Sequence, residues 1–346
     1  MITIDGSQGE GGGQVLRTAT ALSAILKAPC KIFNIRANRP NPGLREQHLQ
    51  GILAVAKLCS GSVNNAFVGS KEIEFLPGDF LEKEIDVNIS TAGSVTLVLQ
   101  SLALAALPSR EEIKIKIKGG ATNTSWSPPA DYTINVFFPL LEKMGYEAGM
   151  EIIRRGFYPK GGAEVVCTVK PPKRLENIKL DSRGEVKIIK GVSVCSNLPE
   201  SVAERQRTSA ESILEKAGYE TEITEEVVSS YSAGSALVLW AGCENSILGA
   251  DALGEIKKSA ESVGGEAAKK MVAQLENGFS IDIHAMDQIV PYMALAEGES
   301  FVTTKEITGH TSTNINICEK LVGVKFRVDK NKISVVGRDA GAHRNV

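Results

Sequence analysis

The sequence predicts a mixed α/β protein in which a small second domain is inserted into a larger one made of repeated units. Three observations support this prediction. Short strand patterns alternate with helical ones over residues 1–182, three strand–loop–helix segments resemble one another, and residues 184–277 follow a pattern order of their own. The chain of 346 residues is also longer than one usual domain and suits two.

The composition is that of a folded globular protein, and it limits the partners that the chain can bind. Hydrophobic residues make up 42% and charged residues 23% of the chain. The formal net charge of −2 provides no overall basic field, so a nucleic-acid partner must be held by a local cluster of Arg and Lys. Binding to long duplexes is therefore disfavoured.

The cysteines and the apolar segments favour a cytoplasmic protein. The six cysteines are scattered, form no CxxC pair and have no spacing suited to zinc, so we expect reduced, mostly buried thiols. The first residues, MITIDGSQGE, have no cationic region followed by an apolar one, and the longest apolar stretch, LVLQSLALAAL, is far shorter than a membrane span. We therefore expect a cytoplasmic location and no membrane partner.

Within the larger domain, strands are predicted from alternation and helices from apolar spacings of three and four. Residues 112–118, EIKIKIK, form the cleanest alternating strand. Two helical stripes need a sheet to cover them: Val15, Leu16, Ala19, Leu22 and Leu26, and then Leu44, Ile52, Val55 and Ala56. The similar strand–loop–helix segments are IRANRPNPGLREQHLQGILAV, IKGGATNTSWSPPADYTINVFFPLL and ITGHTSTNINICEKL. Stacking such units about a common axis would bring their loops together.

The inserted region has the pattern order of a complete small α/β domain. It runs through a strand (VKIIKGVSVC), a helix (SVAERQRTSAESILEKAGY), two strands (ETEITEEVV and SALVLWAGC) and a helix (LGEIKKSAESVGGEAAKKMVAQLE). Pro171 and Pro172 precede it and Gly278 follows it, as expected at domain boundaries. We therefore predict a discontinuous domain of residues 1–183 plus 278–346 and an inserted domain of residues 184–277. Residues 338–346 have little to bury and are expected to fray.

The first candidate for chemistry is a glycine-rich turn, GSQGEGGGQ, between a strand and a helix. Free amides at a helix N-terminus can hold phosphate oxygens. The spacing matches neither GxxxxGK[ST] nor GxGxxG, which argues against an ordinary P-loop or dinucleotide site. A plain structural turn is the alternative. Glu10, a lone carboxylate among glycines, and Arg17, a cation at the unfavourable end of the helix, favour a site for an anionic ligand.

The second candidate is an arginine-rich loop on a proline-stiffened backbone. Arg36, Arg39 and Arg45 lie within ten residues, and their forked donors suit phosphates, although a solvated turn remains the alternative. His48 lies four residues from both Leu44 and Ile52, so we expect a packed residue rather than a catalyst.

The third candidate, TAGSVT followed by LVLQSLALAAL, predicts a small-residue loop that opens a largely buried helix. Gln100 lies one to two turns into that helix, where a buried amide needs a partner. Gln100 could therefore take part in a site, or it could bridge backbone groups within the core. The sequence leaves both interpretations open.

The most informative segment is Thr308 to Asn314, TGHTSTN, followed by a helix. Thr, Ser and Asn favour helix starts, so we expect His310 in a loop at a helix N-terminus, where a phosphate is stabilised. A neutral imidazole there can attack phosphorus, although an isolated loop His is more often merely exposed. His284, three residues before Asp287, could stack on a base or could be a surface or core residue. The chain has no Ser/His/Asp order, HExxH site or deaminase pattern, which argues against hydrolytic and zinc chemistry.

Taken together, seven separated motifs resemble the RNA 3′-terminal phosphate cyclase family. They are DGSQGEGGGQVLRTA, RANRPNPGLREQH, AGSVTLVLQSL, SPPAD, GFYPKGGA, DQIVPYMALAEG and GHTSTN. The resemblance covers nearly the whole chain and is weakest in the inserted region. It implies a catalytic domain of three βαβαββ-type repeats, similar to the C-terminal domain of translation initiation factor 3, with a smaller inserted α/β domain.

The resemblance also implies an ATP-dependent enzyme of the ligase class that acts on RNA with a 3′-phosphate end. His310 would attack the α-phosphorus of ATP and release pyrophosphate. The AMP would then pass to the RNA 3′-phosphate, giving an RNA-pyrophosphate-adenosine intermediate. Attack by the ribose O2′ would expel AMP and close a 2′,3′-cyclic phosphate.

Individual roles follow from the same resemblance. Glu10 corresponds to the family's ligand for Mg²⁺ or Mn²⁺, which one carboxylate can hold when phosphates and water supply the other ligands. The remaining positions implied to bind ATP or to orient the nucleophile are Arg17, Arg36, Arg39, Gln47, Gln100, Pro129 or Pro128, His284, Asp287, Gln288, Thr313 and Asn314. Relatives often have Tyr where this chain has His284, so stacking of its imidazole on adenine stays open.

Two other classes compete with the cyclase interpretation. A non-catalytic relative acting in RNA binding or ribosome assembly is expected to lack the motif histidine, so His310 counts against it. An enolpyruvyl transferase would have a similar repeat architecture without an adenylylated residue. The sequence is compatible with a monomer and with a homodimer.

Overall fold

The computed structural model describes residues 1–9, 12–109 and 111–339. Its strands are β1 (Ile2–Asp5), β2 (Cys30–Phe33), β3 (Ser62–Asn64), β4 (Ile73–Leu76), β5 (Glu84–Ser94), β6 (Ile113–Ala121), β7 (Glu147–Arg154), β8 (Glu164–Lys170), β9 (Lys179–Leu180), β10 (Val186–Ser196), β11 (Thr221–Val228), β12 (Gly234–Cys243), β13 (Ile247–Leu253), β14 (Gly298–Thr303), β15 (Phe326–Asp329) and β16 (Lys332–Gly337). Its helices are α1 (Gly13–Leu26), α2 (Glu46–Leu58), α3 (Val95–Ala105), α4 (Ala130–Tyr132), α5 (Phe138–Glu142), α6 (Ser201–Lys216), α7 (Ala260–Leu275), α8 (Ile283–Leu295) and α9 (Gly309–Val322), with a π-helical segment, Thr133–Phe137, between α4 and α5.

The strands form four-stranded sheets, three of which share one topology. These three have the orders β1-β2-β4-β3, β5-β6-β8-β7 and β9-β14-β16-β15. In each, the first two strands pair in parallel, while the second pairs antiparallel with the fourth and the fourth with the third. Helices follow the first and second strands, so the βαβαββ repeat occurs three times and the predicted fold class is confirmed.

The predicted periodicities produce these elements directly. Along β6, Ile113, Ile115 and Ile117 are buried and alternate with lysines, which places one face of the sheet on the core. On α1, Val15, Leu16, Ala19 and Leu22 are buried in the same cluster. That cluster includes residues from all three repeats, and α1 packs against α2, α3 and α9, which brings the helix starts of different repeats together.

The fourth sheet, in the order β11-β10-β12-β13, lies in sequence between β9 and α8 and has a core of its own with α6 and α7. The Arg183 amide donates to the Gly278 carbonyl at 3.2 Å, so the two ends of the segment lie together. The division into residues 184–277 and the remainder stays a prediction.

One element of this region was predicted wrongly. Sequence patterning placed a helix from residue 253 onwards, whereas β13 occupies Ile247–Leu253 and the helix begins only at Ala260. The reason is local: Lys257 has a φ of 71°, and the Ser259 side chain caps the helix by accepting from the Ser262 amide at 3.1 Å.

The remaining expectations about the whole chain are simple to compare. All six cysteines are free and buried, as predicted. Among the described residues, no helix has the length and apolar character needed to cross a membrane. Of the terminal segment expected to fray, residues 340–346 lie outside the described part of the chain.

Candidate active site

The glycine-rich turn before α1 brings bare backbone against two other elements. Gly12 is the N-cap of α1 and provides no side-chain cap. A Cβ built on Gly9 would overlap the Thr313 hydroxyl in α9, and one built on Gly12 would lie 3.2 Å from Nη2 of Arg39. The turn is therefore a backbone cradle between the arginine loop and α9. Glu10, the expected metal ligand, lies outside the described residues.

Arg17 lies in the second turn of α1, and the side-chain amides of Gln100 and Gln14 hold its guanidinium group. Its Nε donates to Oε1 of Gln100 at 3.1 Å, and its Nη2 donates to Oε1 of Gln14 at 2.5 Å. Burial lowers the pKa of Arg17 to about 10, an effect that the charge of Asp287 partly offsets. The side-chain amide of Gln100 thus has Arg17 as its hydrogen-bond partner. The Arg17 guanidinium group in turn favours the binding of an anion beside it.

The arginine loop adds further positive charge. Arg36 donates through Nη1 to the carbonyls of Asn41 at 2.8 Å and Gly43 at 2.9 Å, which fixes the loop. Burial, followed by repulsion from Arg45 and Arg39, lowers the pKa of Arg36. The guanidinium groups of Arg39 and Arg45 therefore lie near enough to that of Arg36 to repel it, as expected of a site that an anion completes.

His48 is packed in the interior beside these cations, in agreement with its apolar spacing. A Cβ on Gly13 would lie 2.7 Å from Cδ2 of His48 and 2.8 Å from Nη1 of Arg17. The His48 Nδ1 accepts from the Arg45 amide at 3.2 Å. Burial, and then the charges of Arg17, Arg36 and Arg45, lower the pKa of His48 to about 3. The imidazole is therefore neutral at physiological pH.

Gln47 joins the starts of two helices. Its Oε1 accepts from the Ser94 amide at 2.9 Å, and Ser94 is the N-cap of α3. The predicted small-residue loop before α3 is in fact the end of β5, which runs directly into the helix at Val95. Because Gln47 accepts this backbone bond, its amide nitrogen is oriented away from Ser94.

His310 is the second residue of α9, which begins at Gly309, whereas the sequence predicted a loop over residues 308–314 and a helix from Ile315. The expected loop is wrong because the Thr308 side chain caps the helix by accepting from the Thr311 amide at 3.1 Å, so helical backbone begins at Gly309. His310 is half-buried. It precedes Thr313 by one helical turn, and Thr313 touches the glycine turn, so His310 and the cradle share one face of α9.

Asn314 ties three helices together. Its Oδ1 accepts from the Thr18 hydroxyl of α1 at 2.7 Å, and its Nδ2 donates to the Asp287 carbonyl of α8 at 2.6 Å. Asn314 is completely buried, and its bond to Thr18 forms out of water. The start of α9 is thereby fixed relative to Arg17 and Asp287.

The residues implied to bind the nucleoside lie on two connected helices. Asp282 is fully buried and caps α8, accepting from the His284 amide at 2.9 Å and from the Tyr132 hydroxyl at 2.7 Å. Tyr132 belongs to α4, whose N-cap is Pro129. His284 is exposed, and Gln288 is buried, donating to the His284 carbonyl at 3.0 Å. Pro129 and His284 thus flank one junction.

Sequence reasoning missed several residues that hold this site together. Asp282 and Tyr132 form the junction described above, and Gln14 and Thr18 bond Arg17 and Asn314. Asp282 could have been found from its place before the apolar pattern of α8, since Asp is a favoured N-cap. The other three are recognisable only through their partners.

The described residues fit phosphate groups better than a metal cage. Bare glycine backbone adjoins Arg17, Arg39 and a neutral histidine, which is the donor set that phosphate oxygens require. Residues 1–9, 12–109 and 111–339 contain no group of three or more His, Cys, Asp or Glu side chains arranged to hold a metal ion. Mg²⁺ often takes most of its ligands from substrate phosphates and water, so a single carboxylate is compatible with such a site.

Fold and site together define a protein of three βαβαββ repeats in which a glycine-rich turn lies against Arg17, Arg39 and Thr313 of α9. The family model of the RNA 3′-terminal phosphate cyclases matches residues 8–328. An RNA 3′-terminal phosphate cyclase from Pyrococcus abyssi is 46% identical over 343 residues, 98% of this chain and 99% of that protein. One from Methanopyrus kandleri is 44% identical over 335 residues, 95% of each chain. The chain belongs to the RNA 3′-terminal phosphate cyclase family.

A comparison with solved structures finds the enolpyruvyl transferase NikO from Streptomyces tendae. It is 8% identical with a TM-score of 0.44, and the match covers 98% of this chain and 49% of that one.

Proposed function

We propose that this chain converts an RNA 3′-phosphate end to a 2′,3′-cyclic phosphate at the expense of ATP, through a covalent adenylate on His310. One observation carries the proposal: His310 shares a helix face with Thr313, which touches the glycine cradle beside Arg17 and Arg39. A nucleophile, phosphate-binding amides and guanidinium groups are thereby gathered from separate repeats. The membership of the chain in the cyclase family supports the same reaction.

In the first step, a neutral ring nitrogen of His310 attacks the α-phosphorus of ATP. The new N–P bond forms as the bond to the bridging oxygen breaks, and the electron pair leaves with pyrophosphate. Arg17 and Arg39 stabilise the charge on the phosphate oxygens, and Arg36 shapes the loop that presents Arg39. Gln47 and Gln100 hold the surrounding helix starts in register. Asp287, Gln288, His284 and Pro129 would face the nucleoside.

In the second step, an oxygen of the RNA 3′-phosphate attacks the same phosphorus and the N–P bond breaks, which returns His310 as an imidazole. The terminal phosphate is now joined to AMP. In the third step, the ribose O2′ attacks the RNA phosphorus and loses its proton, and AMP leaves. The site contributes mainly alignment and charge stabilisation, as is usual in phosphoryl chemistry.

A divalent metal fits this scheme through Glu10. We propose that Glu10 holds Mg²⁺ or Mn²⁺, which when bound neutralises charge on the ATP phosphates. Glu10→Ala should slow adenylylation and raise the metal concentration needed for half-maximal rate, because a direct ligand is lost. Circular dichroism should show an intact fold. An unchanged metal dependence in that variant would reject the assignment.

Cyclisation is tested with an oligonucleotide whose 3′-phosphate is labelled. The wild-type protein with ATP should convert the label to a form that alkaline phosphatase cannot remove, whereas His310→Ala should leave it removable. His343→Ala serves as the matched control and should behave as wild type, because His343 belongs to none of the seven motifs. A phosphatase-sensitive end after prolonged incubation with wild type would refute the proposed reaction. A non-catalytic RNA-binding role and enolpyruvyl transfer both predict that outcome.

A further inference from the structure

Three aromatic side chains stand exposed in loops near the candidate active site. Trp126 is 98% exposed, Tyr158 73% and Tyr231 57%. They lie in residues 122–129 between β6 and α4, residues 155–163 between β7 and β8, and residues 229–233 between β11 and β12. We call these three side chains the aromatic surface. Exposed rings of this size indicate a binding role, because leaving them in water forgoes the free energy of burial.

The three loops are joined into one structure. The amide of Thr122 donates to the Gly156 carbonyl at 3.0 Å, and Asn123 forms a parallel bridge with Phe157, the neighbour of Tyr158. The amide of Lys160 donates to the Ser232 hydroxyl, next to Tyr231, at 3.1 Å. The aromatic residues therefore occupy a common edge of the molecule.

A buried ion cluster forms the base of these loops. Arg155, 5% exposed, donates to both carboxylate oxygens of Asp131 at 2.7 and 2.9 Å. It also donates to both oxygens of Glu226 in β11 at 2.9 and 2.5 Å. One guanidinium thus fixes the loop with Tyr158, the start of α4 after Trp126, and the strand before Tyr231. This base holds the backbone of the three loops in place before any ligand binds.

The aromatic surface is continuous with the candidate active site through tightly packed glycines. A Cβ on Gly93 would lie 2.9 Å from Cβ of Gln47, and one on Gly120 would lie 2.6 Å from the Gly93 carbonyl oxygen. A Cβ on Gly161 would in turn lie 2.5 Å from the Gly120 carbonyl oxygen. The loop that contains Tyr158 is therefore connected to Gln47 through three successive close contacts. A polymer whose end occupies the active site would pass over this edge.

The charges at this edge suit a polyanion with flat bases. The guanidinium carbon of Arg154 lies 4.9 Å from the centre of the Tyr231 ring, and Lys160 is exposed in the same loop as Tyr158. Sites for single-stranded nucleic acid combine such cations with rings on which successive bases stack. We propose that the aromatic surface binds the single-stranded nucleotides that precede the RNA 3′-phosphate. This inference rests on the proposed function, because that function places the RNA end at His310.

The test measures the binding of a fluorescein-labelled, 3′-phosphorylated RNA oligonucleotide by anisotropy. Trp126→Ala and Tyr158→Ala should each weaken binding by about fivefold or more. A fivefold loss corresponds to the lower end of the range expected when one base–aromatic stack is removed. Leu81→Ala is the matched control, since Leu81 is 72% exposed but lies in the loop before β5, at the opposite end of the second sheet. An oligonucleotide with abasic upstream positions and the same phosphates should bind wild type and both variants alike.

Two results would overturn the inference. One is equal affinity of wild type, Trp126→Ala and Tyr158→Ala for the intact oligonucleotide. The other is a dimer in sedimentation that Trp126→Ala dissociates while RNA affinity stays constant, because the rings would then form a face between two copies of the chain.

Labelling by ATP without RNA separates this inference from the proposed function. Wild type, Trp126→Ala and Tyr158→Ala should all become adenylylated equally, since the aromatic surface lies outside the ATP site. If wild type is not labelled but RNA binding still depends on Trp126, the proposed reaction fails and the RNA surface stands. If wild type is adenylylated normally and neither Trp126→Ala nor Tyr158→Ala changes RNA affinity, the proposed reaction is retained and the RNA-binding role of the aromatic surface is rejected.

Discussion

The neutral state of His48 predicts a measurable loss of stability in mild acid. Its pKa is lowered from 6.5 to about 3 in the folded protein. As the pH falls below 6.5, His48 of the unfolded chain binds a proton while His48 of the folded chain stays neutral. The free energy of unfolding therefore decreases. Between about pH 7.5 and about pH 5, this single group should cost about 2 kcal/mol of unfolding free energy. The loss should level off below the folded pKa.

Urea unfolding at the two pH values measures this effect, and a variant isolates it. In His48→Asn, the amide oxygen can replace Nδ1 as acceptor for the Arg45 amide. The variant still has the other titrating groups of the protein, so its stability should fall by about 2 kcal/mol less than that of wild type over the same range. Equal pH dependence in both proteins would refute the buried, neutral imidazole and, with it, the cationic surroundings assigned to the anion site.

Three further substitutions follow from the same geometry. Arg17→Met should leave the unfolding free energy nearly unchanged. The variant no longer pays about 3 kcal/mol for burying the Arg17 charge, but it loses two hydrogen bonds of about 1.5 kcal/mol each. Its affinity for ATP, measured by calorimetry, should fall at least about tenfold. Gly13→Ala should weaken ATP binding similarly, since the new Cβ would overlap the His48 ring; unchanged affinity would contradict the cradle. Arg155→Ala should destabilise the protein in urea by about 3 to 5 kcal/mol, because Asp131 would remain buried without its partner.

The fold could be predicted from the sequence wherever its periodicity is strong. The alternation of β6 and the apolar stripe of α1 lie within single elements, so local spacing is enough to identify them. β13 was missed because Ile247–Leu253 is short and buried, with small residues that do not alternate clearly in polarity. The start of α7 was misplaced for a different reason, since Ser259 is one of several Ser residues that could cap the helix.

The candidate site could be predicted only in part, because its contacts join distant segments. Thr18 and Asn314, which bond at 2.7 Å, are 296 positions apart, and Arg17 and Gln100 are 83 apart. Local periodicity in the sequence cannot identify contacts between such distant residues. The candidate site residues were therefore grouped by the family resemblance. The burial of His48 was predictable, since spacing alone places it on the packed face of α2. The role of His284 in binding the nucleoside stays a prediction.

The central claim is that His310 forms a covalent bond to AMP, and mass spectrometry tests it most directly. The protein is incubated with ATP and Mg²⁺, quenched without acid, and analysed intact and after proteolysis. The account predicts one added AMP, found on the peptide that contains His310 and absent from His310→Ala. An unmodified protein, or an AMP attached to a different residue, would contradict it.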